Sequence, residues 1–272
     1  MEVSKSVRSR PIRNHADGEA DTDAACFRLL GVRVDAIQIP EVVIRMERWI
    51  SEHTGCHFVA VTGMHGVVEA RHDPFFRQVL MWADLVVPDG MPLVWIGRRK
   101  GYALKHRVCG PELMLTFCRS TGPKYRHFFY GGAPGVPDRL AEILQRRYGI
   151  RVAGTHSPPF RPPTTRERRN IIARIQESRT DVLWVGLGTP KQELWMYEHR
   201  DTLAVPVMVG VGAAFDINSG RVKRAPVWMR DCGLEWLFRL LQEPRRLSRR
   251  YLIYGPEFAW KVSLEVLGLK EF

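Results

Sequence analysis

Apolar and polar positions along this chain alternate in blocks that predict strands and helices in turn. Short, almost continuous apolar runs are typical of buried strands and lie at 28–34, 56–62, 84–88, 127–130, 150–155, 181–185 and 205–211. Apolar residues recur at helical spacing between them, over 40–53, 67–81, 91–97, 111–121, 137–148, 165–179 and up to His199. This order predicts an α/β fold, with a Rossmann-like, mostly parallel sheet and helices on both faces.

Three regions of different composition follow from the same pattern. Residues 1–26 carry mixed charges and few apolar side chains, which predicts a disordered tail. Residues 27–220 hold the predicted strands and form the α/β core. Residues 221–272 are expected to be helical throughout, with arginines interleaved with aromatic residues. We expect this last segment to be a basic appendage of the core.

The turn after the strand at 181–185 carries the strongest sign of a ligand site. Gly186 and Gly188 leave backbone N–H groups at the positive end of the next helix, which favours an anion such as a diphosphate. Lys191 and Gln192 lie in the first turn of that helix, where their side chains can contact a phosphate or a sugar hydroxyl. A purely structural strand-to-helix turn is the alternative.

A second glycine turn follows the strand at 127–130. Gly131, Gly132 and Gly135 resemble a phosphate loop, although the sequence matches neither the P-loop nor a complete dinucleotide fingerprint. Ligands of parallel sheets bind beyond the carboxyl ends of the strands, where all of these glycine turns fall. The two turns together therefore favour a binding site over a structural role.

Two further strand ends carry side chains that are capable of acid–base chemistry. Asp89 follows the strand at 84–88 on a glycine turn, where burial would raise the carboxyl pKa and suit it to act as a general base. The alternative is that Asp89 caps the next helix. Thr62 and His65 lie in a comparable turn, where they can bind a substrate hydroxyl or relay a proton. For His65 a structural role is the alternative.

The net charge, the apolar windows and the cysteines indicate the kind of partner and the cellular location of the protein. The net charge of +12 predicts an anionic partner, which is a nucleic acid, a phosphorylated substrate or a membrane surface. The most apolar window, 203–215, is too short to cross a bilayer, and no signal peptide is visible, so we expect a protein that is soluble or bound to a membrane surface. Five scattered cysteines argue against a disulfide framework and a zinc site and are typical of the cytoplasm.

No metal or other cofactor is expected. The only D-x-D pattern, Asp21–Asp23, could hold Mg²⁺ on a diphosphate, but it lies in the predicted tail with no strand before it. We therefore reject it as a metal site.

Several segments together resemble the WecG/TagA/CpsF family of bacterial glycosyltransferases, which is glycosyltransferase family 26. The resemblance spans roughly residues 28–255 and rests on ordered motifs rather than on one pattern. These motifs are TGMHGVVEARHDPFFRQVLMWADLVVPDGMPLVWIGRRKG, RVCG, FFYGGAPGV, VGLGTPKQELW, VGVGAAFDINSGRVKRAPVWM and LEWLFRLLQEPRRLSRRYL.

The resemblance implies a metal-independent, inverting transfer of a hexose from a UDP-sugar to a polyprenyl-diphosphate-linked saccharide. The sugar is expected to be N-acetylmannosamine, its uronic acid, glucuronic acid or a related hexose. The reaction is expected at the inner face of the cytoplasmic membrane, in surface polysaccharide biosynthesis, and a homo-oligomer is a further expectation. The family's base falls on Asp89, its strand-end threonine on Thr62 and its PKQE glutamine on Gln192. The arginines thought to meet the acceptor diphosphate fall on Arg239, Arg246 and Arg249.

The chain departs from the family at the first motif. Many members have Thr-x-Asn where this chain has Thr62-Gly63-Met64, so we expect His65 to take over part of the role of the missing amide.

Two other functions are alternatives to a glycosyltransferase. A Rossmann-type oxidoreductase would need G-x-G-x-x-G with an acidic residue about 20 positions on, and the chain lacks that arrangement. A basic nucleic-acid-binding protein is disfavoured because no recognised binding motif is present and the arginines lie beside an apolar stripe.

Overall fold

A computed structural model describes residues 25–270 and 272 and has a six-stranded parallel sheet at its centre. The strands of this sheet are β3 His57–Thr62, β4 Leu85–Pro88, β5 Arg126–Gly131, β6 Arg151–His156, β7 Val182–Gly186 and β8 Val207–Gly210. They run in the order β4-β3-β8-β7-β5-β6. A separate antiparallel hairpin consists of β1 Cys26–Leu29 and β2 Val32–Asp35. The predicted α/β class with a parallel sheet is confirmed.

Helices cover both faces of the sheet. One face carries α1 Ile39–Glu52, α5 Gly110–Thr121, α6 Val136–Tyr148 and α9 Ala214–Asn218. The other carries the hairpin and α2 Met64–His72, α3 Pro74–Met81, α4 Met91–Arg99, α7 Thr165–Glu177 and α8 Lys191–His199. The C-terminal helices are α10 Val227–Asp231, α11 Glu235–Gln242, α12 Pro244–Ser248 and α13 Tyr254–Val266, and a π-helical turn at Arg249–Ile253 joins the last two.

Two hydrophobic cores, one on each face, explain the continuous apolar strands. Along β3, Phe58 and Ala60 pack into one core, whereas Val59 and Val61 pack into the other. Because side chains alternate across a strand, a strand that is covered on both faces needs apolar residues at every position. Each fully buried large side chain stabilises the fold by about 1.5–3 kcal/mol.

Two of the predicted elements were wrong. The strand predicted at 28–34 is the β1–β2 hairpin, and its turn lies at Leu30 and Gly31, which have φ of +49° and +79°. The helix predicted at 67–81 is two helices, because Asp73 caps α3 by accepting hydrogen bonds from the N–H groups of Phe75 and Phe76. Residues 1–24 of the predicted tail lie outside the described residues, and Cys26 belongs to β1.

The predicted appendage is helical, and its last helix is part of the fold. Tyr254, Phe258 and Val262 of α13 are buried in the same core as α2, and the Glu265 carboxylate accepts a hydrogen bond of 2.8 Å from the N–H of Leu30. Removal of residues 221–272 would therefore open the core. Among the described residues, no helix is both long and apolar enough to cross a membrane.

Candidate active site

A cavity of about 1470 Å³ lies beyond the carboxyl ends of the strands. The turns after β3, β4, β5, β7 and β8 line one side of it, which we call the floor. Parallel strands place such turns side by side, so the sequence predicted the position of the floor correctly. The opposite side includes Arg239, Arg246 and Arg250 from the C-terminal helices, which we call the arginine wall.

Asp89 lies on the floor directly after β4, with a half-buried side chain that lines the cavity. Its backbone N–H donates to the carbonyl of Thr62 at 3.0 Å, which fixes the β4 turn against β3. A Cβ at Gly63 would lie 2.7 Å from the carbonyl oxygen of Asp89, so only glycine permits this approach. Gly90 is the N-cap residue of α4 and no side chain caps that helix, so Asp89 is not its cap.

The surroundings of Asp89 fit a proton acceptor. Burial raises the pKa of the Asp89 carboxyl, Arg107 opposes this shift, and Glu235 adds to it. Within the described part of the chain the carboxylate has no hydrogen-bond donor of its own, so its oxygens are free to accept from a ligand. A desolvated carboxylate that faces a cavity is suited to general base catalysis.

Arg107 and Glu235 are functional candidates that the sequence reasoning missed. They form an ion pair between the loop before α5 and the first turn of α11, and both line the cavity beside Asp89. Val108 donates to the Pro88 carbonyl at 2.8 Å, which holds this loop against the end of β4. Nothing in the local pattern singles out Arg107, because its position depends on packing between segments far apart in sequence.

Thr62 lies beneath the floor rather than on its surface. It is the last residue of β3, is 1% exposed, and its Oγ1 is buried with no hydrogen-bond partner among the described residues. A Cβ at Gly66 would lie 2.8 Å from the Thr62 methyl group, so the first turn of α2 covers this threonine. Direct contact of Thr62 with a ligand would require movement of that turn.

His65 reaches the cavity as a neutral imidazole. Burial lowers the pKa of His65 to about 3, and the nearby Arg250 lowers it further. The ring stacks on Tyr254 of α13 at 5.5 Å between centroids, and its buried Nδ1 has no partner among the described residues. This ring can accept or donate a hydrogen bond, but protonation near neutral pH is strongly disfavoured.

The glycine turns bring strand ends close together and use several of their own N–H groups. Gly131 pairs with Gly186, where a Cβ at Gly131 would lie 2.4 Å from the Gly186 carbonyl oxygen. Gly132 donates to that same carbonyl at 3.1 Å, so its N–H is used within the protein. Gly132, Gly186 and Gly188 line the cavity, whereas Gly131 and Gly135 do not.

The two polar residues that begin α8 have different environments. Lys191 is exposed and lines the cavity, where its ammonium group can approach a phosphate. Gln192 is 1% exposed, and its Oε1 accepts from the N–H groups of Gly188 at 3.1 Å and Gly212 at 2.9 Å. Its amide is thus engaged within the protein.

The arginine wall differs by one residue from the set expected from sequence. Arg239 and Arg246 line the cavity as expected, but Arg249 is exposed and lies over the Tyr254 ring at 5.8 Å. Arg250 takes its place on the wall. Burial lowers the pKa of Arg250, and the adjacent Arg239 lowers it further. Spacings of three and four residues from Arg246 both fit a helical face, so the sequence could not choose between Arg249 and Arg250.

Positive charge on the wall is only partly balanced. Arg246 forms an ion pair with Glu243, whereas Arg239 and Arg250 form none with the residues described, and the Nε of each is buried without a partner. Guanidinium groups of this kind match the oxygens of a phosphate or diphosphate.

Residues 25–270 and 272 contain no cluster of three or more His, Cys, Asp or Glu side chains that could hold a metal ion. Asp21–Asp23, rejected above as a metal site, lies outside the described residues.

The chain is similar to a protein family and to a curated relative. The description of the matching family is Glycosyl transferase WecG/TagA/CpsF family, and it covers residues 27–271. An N-acetylglucosaminyldiphosphoundecaprenol N-acetyl-β-D-mannosaminyltransferase from Bacillus spizizenii is 32% identical over 203 residues. That alignment covers 74% of this chain and 77% of the relative.

Proposed function

The chain belongs to the WecG/TagA/CpsF family of glycosyltransferases, and we propose that it transfers a sugar from a UDP-sugar to a saccharide carried on a polyprenyl diphosphate. The observation that carries this proposal is the position of Asp89. Its carboxyl is desolvated, lines the cavity, and lies near arginines of the wall that lack ion-pair partners among the described residues. A base beside an anion site is what transfer from a nucleoside diphosphate sugar requires.

In the proposed reaction Asp89 acts as the base. Its carboxylate accepts the proton of the acceptor hydroxyl, and that oxygen forms a bond to the anomeric carbon of the donor sugar. The bond from this carbon to the diphosphate oxygen breaks, and UDP leaves with the bonding electrons. A single displacement inverts the configuration at the anomeric carbon.

Charge that develops on the leaving diphosphate needs positive partners. Arg107 and Lys191 line the same cavity and can supply them. Removed from bulk water, such cations stabilise developing negative charge more strongly than they would in solution. We assign Lys191 and the glycine turns to the donor, and Arg239, Arg246 and Arg250 to the acceptor diphosphate.

The exposed apolar residues of the C-terminal helices support binding to a membrane. This segment carries the exposed Arg245 and Arg249, and its exposed large apolar side chains include Val227, Trp228, Trp236, Leu241, Leu252, Ile253, Trp260, Leu267 and Leu269. Aromatic and aliphatic side chains partition into the interface, and each arginine near an anionic leaflet contributes about 1 kcal/mol. We propose peripheral binding at the inner face of the cytoplasmic membrane, where a lipid-linked acceptor is accessible.

The name of the Bacillus relative supports a more specific substrate pair. It describes transfer of N-acetylmannosamine to N-acetylglucosaminyldiphosphoundecaprenol. We propose N-acetylmannosamine, its uronic acid or a related hexose as the donor sugar of this chain. The homo-oligomer expected from the sequence also stays a prediction, which sedimentation velocity would test.

A panel assay tests the proposed function. Purified protein is incubated with one UDP-sugar at a time and a short-chain polyprenyl-diphosphate-linked N-acetylglucosamine, and products are identified by mass spectrometry. We expect one UDP-sugar to be consumed, with a matching increase in the mass of the lipid. Absence of transfer from every donor, together with no binding of UDP by calorimetry, would contradict the proposal.

A further inference from the structure

A second carboxyl, that of Glu193, lies beneath the floor and has no role in the reaction described above. Glu193 is the third residue of α8 and is fully buried, and unlike Asp89 it does not line the cavity. It forms no ion pair with any described residue. Burial of a carboxyl without an ion-pair partner costs free energy of folding, so the hydrogen bonds of Glu193 require a physical explanation.

Hydrogen bonds connect Glu193 to two turns of the floor. Its Oε1 accepts from Thr189 Oγ1 and from Gln192 Nε2, each at 2.9 Å. The oxygen of the same Gln192 amide accepts from the backbone N–H groups of Gly188 and Gly212. One short chain of contacts therefore links Glu193 to the turns after β7 and β8, the two central strands.

From these contacts we infer that Glu193 is a positioning residue, which orients the Gln192 amide so that the two central turns are held in the shape that binds the donor diphosphate. The inference rests on the proposed function, because it concerns the same donor site. Glu193 itself touches no substrate in this account.

The direction of the amide explains why an acceptor is needed at position 193. A glutamine amide has two nearly equivalent orientations, and only one directs its oxygen toward the two backbone donors. In the other orientation the NH₂ group would face the backbone N–H groups of Gly188 and Gly212. These donors would then have no acceptor. The Glu193 oxygen accepts from Nε2 and so selects the productive orientation.

The close packing around this amide leaves little room for an alternative arrangement. A Cβ at Gly210 would lie 2.9 Å from Gln192 Nε2 and 2.9 Å from the Met196 methyl group, so β8 needs glycine beside the amide. Burial raises the pKa of Glu193, while the hydrogen bonds from Gln192 and Thr189 oppose that shift. A neutral acid keeps its carbonyl oxygen as an acceptor, so the positioning role does not require a negative charge.

Three variants, Glu193→Gln, Glu193→Ala and Met196→Ala, test the inference with UDP as the probe. Glu193→Gln retains an acceptor oxygen, whereas Glu193→Ala removes it. Met196 is fully buried on the same helix, so Met196→Ala measures the effect of a lost core side chain alone. Calorimetry gives the Kd of UDP, thermal melting gives Tm, and transfer kinetics between pH 6 and pH 9 give kcat and the donor KM.

We expect Glu193→Ala to raise the Kd of UDP and the donor KM about tenfold or more, because it leaves buried donors unsatisfied. Its kcat should change less than its KM. Glu193→Gln should rescue both constants to within about threefold and leave the pH profile unchanged, since it keeps the acceptor. Met196→Ala removes packing near the amide but none of its hydrogen bonds, so it should lower Tm and raise the Kd of UDP less than Glu193→Ala does.

Two results would overturn the inference while the wild-type protein still binds UDP. One is a Glu193→Gln variant that is as weak as Glu193→Ala, which would mean that the charge is needed. The other is a Glu193→Ala variant with unchanged UDP affinity. Should Glu193→Ala fail to fold, Thr189→Val removes one donor to the same oxygen, and its Kd for UDP must then rise. Failure of the wild-type protein to bind UDP would instead count against the proposed function.

Discussion

The backbone N–H groups of the glycine turns on the floor and the guanidinium groups of the arginine wall differ in whether the protein supplies their acceptors. On the floor, the N–H groups of Gly132, Gly188 and Gly212 all have acceptors within the protein. On the wall, the buried Nε atoms of Arg239 and Arg250 have none among the residues described. Turns whose backbone N–H groups are satisfied within the protein hold a fixed shape, whereas guanidinium groups with unpaired N–H groups can bind an anion. The difference suggests that the floor provides geometry and the base, and that the wall provides affinity for diphosphate.

The largest expected effect comes from removing the base on the floor. Asp89→Asn should lower kcat by at least about 100-fold, since positioned bases typically contribute that much. The Kd of UDP should stay within a few-fold of the wild-type value. Burial raises the pKa of Asp89, so its ionisation costs stability as the pH rises, and the neutral asparagine should not lower Tm at pH 7.

An Asp89→Asn variant that keeps more than about a tenth of wild-type turnover would show that Asp89 is not the base, because a true base typically contributes far more. Calorimetry with UDP serves as the control for folding and donor binding.

Neighbouring arginines on and off the wall allow a matched test of its role. Arg250→Ala should weaken transfer to the lipid-linked acceptor about 10- to 100-fold, the range expected for a lost charge-assisted hydrogen bond. Arg249→Ala removes the same charge from a residue that is exposed and does not line the cavity, so its effect should stay below about threefold. Steady-state kinetics with varied acceptor measure both effects. A larger loss in Arg249→Ala than in Arg250→Ala would support the set expected from sequence, in which Arg249 binds the acceptor diphosphate.

The pH dependence of the rate reports the protonation of Asp89. A base must be ionised to act, so kcat/KM should fall about tenfold per pH unit below its pKa. Because burial raises that pKa, the acid limb should lie above the ordinary aspartate value of about 4. The residual rate of Asp89→Asn should lack this limb. An unchanged acid limb in that variant would assign it to another group.

The same comparison shows what the sequence could and could not predict. Strand ends follow directly from apolar runs, so Asp89 and the glycine turns were placed on one edge of the sheet from sequence alone. The arginine wall depends on how separate helices pack, and a π-helical turn lies where Arg249 and Arg250 diverge. Arg107 could not be identified because its partner Glu235 is remote in sequence.

The sequence did not predict how deeply two of the candidate side chains are buried. Gln192 was expected to contact a phosphate or a sugar hydroxyl; it lines the cavity, and its amide also bonds to Gly188 and Gly212. Thr62 was expected at the surface of the turn and is covered by α2. The position of a residue in a helix or strand predicts which side of that element its side chain faces. Whether the side chain is buried depends on how neighbouring elements pack against that side.

A smaller effect is expected at the exposed apolar surface of the C-terminal helices. Leu252→Ala with Trp260→Ala should lower binding to anionic vesicles about tenfold or more, since each large side chain contributes roughly 1.5–3 kcal/mol when removed from water. Ile44→Ala, on α1 of the core, is a matched control that is 66% exposed. Vesicle sedimentation measures the difference. Equal losses in both proteins would argue against a membrane role for this surface.

The smallest effect is expected from chelation. EDTA should leave the rate within about twofold of its value without EDTA, because Arg107 and Lys191 can neutralise the leaving diphosphate. Loss of activity that Mg²⁺ or Mn²⁺ restores would show that these side chains do not suffice.

The stereochemistry of the product tests the central claim most directly. With Asp89 as a base for one displacement, nuclear magnetic resonance of the product should show an anomeric configuration opposite to that of the sugar in the UDP donor. Retention of the donor configuration would require a different mechanism and would contradict the role given to the floor.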